Sequence, residues 1–402
     1  MANCSVAAAH RRAVAPLCSS PPHCALCGRL LPTLFVIGSL KTGTTSLWSH
    51  LVDHTEGVVL SGGTTHKGAV SRKEKDFFGD PDQWKLGRRW YERIYPPCPA
   101  KSSSRAAAVA IDATPAYHVF HAAPANMASF FGPANAARLR LVWMLREPVG
   151  KFWSYFWELK AYGGEWDKVG FAEWVAPKLA ATRACLAAAP ASPLWPPSLP
   201  APAPHKSCAP HLDHGLYHPQ LLRWLEFFDP SQLLLVSFTG YTARPAEVVR
   251  DVLLHAGVGA PLADRAAARV APPRADQRNA RATGRALPRR WHDQLLALYS
   301  PFVERLYAVI AARAIAVTPC DHRGTRFLDT PPPANASAAA RGAARRAAAA
   351  GGAAAGGGKA GKRGGRQRHG GSTVVRRGRA RPAASESSGG LARFLPGFMR
   401  GR

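Results

Sequence analysis

Three groups of side chains in this 402-residue chain have types and spacings suited to handling an anion. The first is Lys41-Thr42-Gly43-Thr44-Thr45-Ser46, a cation and four hydroxyls around one glycine. A lysine ammonium beside the start of a helix offers a full positive charge next to unpaired backbone N–H groups, which is the chemistry of a phosphate or sulfate cradle. The second is Arg146 with Ser154, a guanidinium able to grip a phosphate in two places and a hydroxyl able to add a directional bond. The third is the charged run Arg72-Lys73-Glu74-Lys75-Asp76, three cations interleaved with two carboxylates, which by itself reads as a charged surface turn anchored by Phe77 and Phe78.

Each group needs an element to hold it. Leu34-Phe35-Val36-Ile37 is a short apolar run with β-branched members and reads as a buried strand. Gly38 to Gly43 then turns the chain, and Leu47, Trp48 and Leu51 fall at helical spacing from Thr44 onward. Arg140 to Leu145 reads as a second strand, followed by Arg146-Glu147-Pro148 and a helix in which Pro148 occupies a favourable early position. Val109-Ala110-Ile111 and Gln232 to Phe238 are two more strands, and Glu247 to Leu254 and Leu295 to Tyr307 two more helices. Trp84, Trp90, Tyr91 and Ile94 suggest one amphipathic helix below the site. Strands alternating with helices predict an α/β fold, a P-loop-like three-layer sandwich around a mainly parallel sheet. Ligands of such sheets bind outside the carboxyl ends of the strands, where Lys41 and Arg146 both belong.

The order of residues argues against an ordinary nucleoside triphosphatase loop, in which lysine follows the last glycine; here Lys41 precedes Gly43. A kinase or ATPase remains one rival reading, and a non-catalytic polyanion-binding protein that works through its basic tail is another.

Composition sets the frame. There are 53 Lys and Arg against 25 Asp and Glu, a net charge of +28, and 15 basic residues with one acidic residue lie from Pro331 onward. Such a balance suits polyanionic or anionic partners. Residues 1–31 read as a poorly ordered leader, 32–325 as the folded domain with a Pro-rich insertion at 186–207, and 326–402 as a disordered Ala/Gly/Arg-rich tail. The tail lacks aromatic interleaving before Phe394, so no specific nucleic-acid binding is expected. No run of 18 apolar residues is present, and neither a membrane span nor a signal segment is visible. Cys24 and Cys27 with His23 have the spacing of half a zinc site, but no second pair follows, and no metal site is expected. Cys185 and Cys208 bracket the insertion and are expected to join; Cys98 and Cys320 could pair as well. Asn335-Ala336-Ser337 has the glycosylation pattern.

The Lys41 to Leu47 stretch after its strand resembles the 5′-phosphosulfate loop of sulfotransferases that use 3′-phosphoadenosine 5′-phosphosulfate (PAPS). Arg146 with Ser154 resembles that family's 3′-phosphate site. Lys73-Glu74-Lys75-Asp76-Phe77-Phe78 resembles the K-E-x-x-F-F segment of Golgi glycan sulfotransferases, and Gly215-Leu216-Tyr217 through Trp224 and Phe228 is similar to a helix of the heparan sulfate glucosaminyl 3-O and N-sulfotransferase branch. Asp112-Ala113-Thr114-Pro115-Ala116-Tyr117 resembles E-K-T-P-x-Y, with Ala113 where the family has lysine. Thr283-Gly284-Arg285 resembles a loop that closes over the nucleotide, with Thr283 and Leu287 in place of its lysine and histidine.

The resemblance implies sulfuryl transfer from PAPS, without a metal, to a hydroxyl or amine of an acidic glycan such as heparan sulfate, in a Golgi lumen or membrane setting. A chondroitin-like glycan, a protein tyrosine or a small metabolite are the other acceptors it allows. It implies Glu74 as base and Lys41 as charge stabiliser. Lys41, Thr42, Gly43, Thr44, Thr45, Ser46, Arg146, Ser154, Thr283, Gly284 and Arg285 would hold the donor. Arg72, Lys73, Asp76 and Asp112 would meet the acceptor, with Lys67, Arg88 and Arg89 lining an acidic glycan's path.

Overall fold

The computed structural model describes residues 29–55, 59–66, 69–71, 73–97, 109–188, 211–270, 286–319, 326 and 328. Six strands form one sheet: β1 (Pro32–Gly38), β2 (Val59–Ser61), β5 (Val109–Ala113), β6 (Arg140–Leu145), β7 (Leu233–Ser237) and β8 (Ala316–Thr318). Their order is β2-β5-β1-β6-β7-β8, and every neighbouring pair is parallel. A two-stranded antiparallel ribbon, β3 (Thr64–His66) with β4 (Ala69–Ser71), stands apart from it.

A parallel sheet needs both faces covered, and the strands show how. Successive residues point to opposite faces. Phe35, Ile37, Leu141, Trp143, Leu233 and Leu235 join one core, while Leu34, Val36, Val142, Met144, Leu234 and Val236 join another. Helices α4 (Ala123–Phe131), α7 (Tyr217–Leu225) and α10 (Arg289–Ala312) supply side chains to the first core. Helices α1 (Thr44–Asp53), α8 (Pro245–His255) and α9 (Ala260–Ala267) supply the second. The result is the three-layer α/β sandwich predicted from the alternation of elements, with a sheet that is wholly parallel.

Three details differ from the sequence reading. The aromatic stretch after Asp80 forms two short helices, α2 (Pro81–Trp84) and α3 (Arg88–Arg93), because Gly87 adopts φ 76° between them. Leu30 and Leu31 are fully buried and the Leu30 N–H bonds Pro96 O at 2.9 Å, so the end of the expected leader belongs to the fold. Finally, α10 has 24 residues with an 18-residue window of mean hydropathy 1.4, long and apolar enough to cross a membrane by those measures. Its buried residues Leu295, Leu298, Tyr299, Phe302, Leu306 and Ile310 recur at helical spacing, as expected of a helix with one face on a core. Two further helices matter below: α5 (Pro148–Ala161) and α6 (Phe171–Ala188). Cys185, near the end of α6, is disulfide-bonded; Cys208, its expected partner, lies outside the described residues, as do Cys98, Cys320, Asn335 and the expected tail apart from Arg326 and Leu328, of which Leu328 is fully buried and so belongs to the fold.

Candidate anion site at the strand ends

The carboxyl ends of β5, β1 and β6 lie side by side, since β1 pairs with both of the others. The turn after β1 is tightly braced. Thr42 Oγ1 donates to Ser39 O at 2.6 Å and accepts from Ser39 N at 3.2 Å, while the Trp143 indole donates to Ser39 Oγ at 2.9 Å. A side chain at Gly38 would place its Cβ 2.6 Å from Trp143 Nε1, so only glycine fits between turn and indole. Thr42 is fully buried and its hydroxyl is spent on Ser39. Through that hydroxyl it shapes the loop.

Helix α1 starts after Gly43 at φ 81°, with no side-chain cap and no acidic residue in its first turn. Its positive end therefore has neither of the groups that usually neutralise a helix start. Thr44 is buried, Thr45 exposed and Ser46 half-buried at this end. Lys41 itself sits at φ 63°. That is a strained conformation for lysine, of the kind retained where a loop must hold a group in place.

Arg146 follows β6 directly. Its Nη1 donates to the Lys41 carbonyl at 3.4 Å and its guanidinium lies 4.7 Å from the centre of the Phe238 ring. The Arg146 carbonyl accepts from Tyr217 Oη at 2.8 Å. Glu147 caps α5 through Gly150 N at 2.8 Å, with Pro148 in the first turn as the sequence predicts. Ser154 is buried two turns into that helix.

Glu74 reaches the same end of the sheet through β5. Its N–H bonds Ala113 O at 3.0 Å, and the next N–H, of Lys75, bonds Thr114 Oγ1 at 2.9 Å. Phe77 and Phe78 are fully buried, Phe77 stacked on Tyr91 at 4.5 Å, and they tie the segment to the core. Glu74 (φ 59°) and Asp76 (φ 54°) share the left-handed strain of Lys41. The Glu74 carboxylate is paired with Lys73. Tyr162, a third exposed, is pushed up to about 12 by burial and by the charges of Glu158 and Glu74, so both carboxylates act on one ring. Burial, then the charges of Glu74, Asp112 and Asp80, pushes Asp76 up to about 8.

Asp112 differs most from its expected role. It has no exposed surface and accepts from Tyr91 Oη at 2.7 Å, Thr114 Oγ1 at 2.7 Å and Tyr117 Oη at 3.1 Å. Burial raises its carboxyl, and those bonds and Lys75 pull it back. It positions Thr114, which in turn holds the segment bearing Glu74; it does not face an acceptor. The expected glycan path is also thin: Arg88 is tied to Glu92 and to Phe130 O, and Lys73 to Glu74. Arg89 is exposed. Arg72, Lys67, Thr283, Gly284 and Arg285 lie outside the described residues.

The sequence reading missed two features. One is a pocket beside Lys41, whose lining includes Lys151, Phe152, Tyr155, His211, His214 and Tyr299. Its histidines are held neutral: burial, then Lys178, lowers His211 to about 4, and burial, then Lys151, lowers His214 well below its usual value. The buried Lys151 ammonium bonds His214 O. The other is Glu158 on α5, whose Oε1 accepts from Lys41 Nζ at 2.8 Å. The periodicity of α5 puts Lys151, Tyr155 and Glu158 on one face, but nothing in the sequence said that this face meets the β1 turn.

No protein-family model matches the chain. No curated protein matches it either. Among solved structures, a sulfotransferase from Alicyclobacillus acidocaldarius is similar at 20% identity and a TM-score of 0.47, covering 70% of this chain and 96% of that one.

Proposed function

We propose that the chain is a sulfotransferase that moves a sulfuryl group from PAPS to a hydroxyl or amine of an acceptor. The observation that carries this reading is the Arg146 guanidinium donating to the Lys41 carbonyl, which joins two cationic anchors at the ends of adjacent strands beside an uncapped helix start. That donor set suits a ligand with two separate phosphate groups, and no divalent ion enters the reading.

The donor supplies an activated sulfur bonded to a phosphate oxygen. Lys41 and the N–H groups at the start of α1 stabilise negative charge on that oxygen as the bond breaks, the logic of an oxyanion hole. Arg146 and Ser154 hold the 3′-phosphate and fix the register of the nucleotide. Glu74 receives the proton of the acceptor hydroxyl or amine as its oxygen or nitrogen bonds sulfur. Lys73 must release Glu74 for that step, because the ammonium occupies the carboxylate that would take the proton.

For the acceptor, the resemblance of the Glu74 segment and the basic charge support an acidic, heparan-sulfate-like glycan. A second reading, a small aromatic acceptor, is favoured by the Phe152, Tyr155 and Tyr299 walls of the pocket beside Lys41.

Thermal-shift measurements with adenosine 3′,5′-bisphosphate and with ATP plus Mg²⁺ test the reading. Stabilisation by the bisphosphate without metal is expected. Stabilisation by ATP with Mg²⁺ alone would replace it with a kinase or ATPase. Labelled PAPS assayed against polysaccharides and small phenols then separates the two acceptors.

A further inference from the structure

We infer that Glu158 is an internal counter-anion that pairs with Lys41 and competes with the incoming phosphosulfate group. The inference rests on the reading of Lys41 as the lysine that meets that group.

The pair joins residues 117 positions apart, with Lys41 Nζ 2.8 Å from Glu158 Oε1. Both side chains are largely buried, at 18% and 23% exposure, so solvent screens the contact less than it would a surface pair. Glu158 Oε2 is buried and has no hydrogen-bond partner among the described residues. A satisfied structural carboxylate would have both oxygens engaged, and an orphaned one calls for an explanation. Here the explanation is that Glu158 is only half served by Lys41. A phosphate oxygen offers the ammonium the same negative partner, and the carboxylate can then turn toward solvent. Until it does, its charge repels the ligand that Lys41 attracts. Lys41 is thus delivered to the donor by exchange of one anion for another, and Glu158 sets how tightly the donor binds.

The test is calorimetric titration of adenosine 3′,5′-bisphosphate into the full chain as wild type, Glu158→Gln, Glu158→Ala, Lys41→Ala and the double variant Lys41→Ala/Glu158→Gln. Removing the competing charge should tighten binding about tenfold in both Glu158 variants. The gain should vanish in the Lys41→Ala background, because the two residues act as a coupled pair. Glu247→Gln, in the exposed pair with Arg244, is the control and should leave affinity unchanged. Equal or weaker binding in both Glu158 variants, with wild-type binding intact, overturns the inference alone. So does a gain that persists without Lys41, which would be a general charge effect. Turnover lost in Glu158→Gln at unchanged affinity would make Glu158 a proton acceptor and also overturn it. If the wild type fails to bind the bisphosphate, the reading of the Lys41 site falls and this inference with it.

Discussion

Asp112→Ala separates a buried hub from an acceptor contact. In the native fold the carboxylate takes hydrogen bonds from Tyr91, Thr114 and Tyr117, all three fully buried. Truncation to alanine orphans three donors, each costing about 1–3 kcal/mol when left buried without a partner. Some of that is recovered. Tyr91 and Tyr95 hydroxyls already lie 3.3 Å apart and can turn to one another, and the burial that raises the Asp112 pKa shows that the carboxylate is itself costly to enclose. A net loss of about 3–5 kcal/mol follows. For a domain of this size that lowers the thermal midpoint by about 10 °C. Urea unfolding of the full chain, followed by tryptophan fluorescence, measures it. Thr114→Val is the companion variant: it removes the hydroxyl that receives the Lys75 N–H, so it should cut turnover through Glu74 more than it cuts stability. A loss under about 1 kcal/mol in Asp112→Ala, with a raised acceptor KM, would refute the hub and restore an acceptor contact.

Four other outcomes follow from the geometry. Gly38→Ala drives a methyl group to 2.6 Å from Trp143 Nε1, so the β1 turn must shift, with about 1–3 kcal/mol lost in chemical denaturation and weaker bisphosphate binding. Asp76→Asn should stabilise the protein increasingly as pH rises. A carboxyl at about 8 in the fold and 3.8 when unfolded holds its proton in the native state, so native stability is full below about 4 and is lost between about 4 and 8. The difference in thermal midpoint between variant and wild type should therefore widen across that window, and a constant difference would discount the shift. Lys41→Ala should reduce turnover on the order of a hundredfold or more, whereas Glu74→Gln should abolish turnover with bisphosphate binding retained; both are read by single-turnover transfer from labelled PAPS.

Much of the framework was legible from local chemistry. Leu34 to Ile37, Arg140 to Leu145 and Gln232 to Phe238 are apolar runs bounded by turn residues, and each appears as a strand within a residue or two of its expected ends. The Lys41-Thr42-Gly43 turn and the Arg146-Glu147-Pro148 helix start were readable because backbone geometry and capping depend on residues a few positions apart. The single helix expected over Trp84 to Ile94 failed for a local reason as well: Gly87 takes a left-handed conformation that ends one helix and starts the next.

What side chains do once the strands are ordered could not be read that way. The parallel pairing of β1 with β5 and β6 decides that Lys41, Glu74 and Arg146 share one end of the sheet. The same packing turns Asp112 inward, although its place in a motif suggested a contact with the acceptor. It also brings Glu158 to Lys41 across 117 positions. Sequence alone determined which residues can carry charge and where the chain turns, because those are properties of neighbours along the backbone. Only the tertiary structure decided which charges meet, because burial and partner choice depend on distances that sequence separation does not encode.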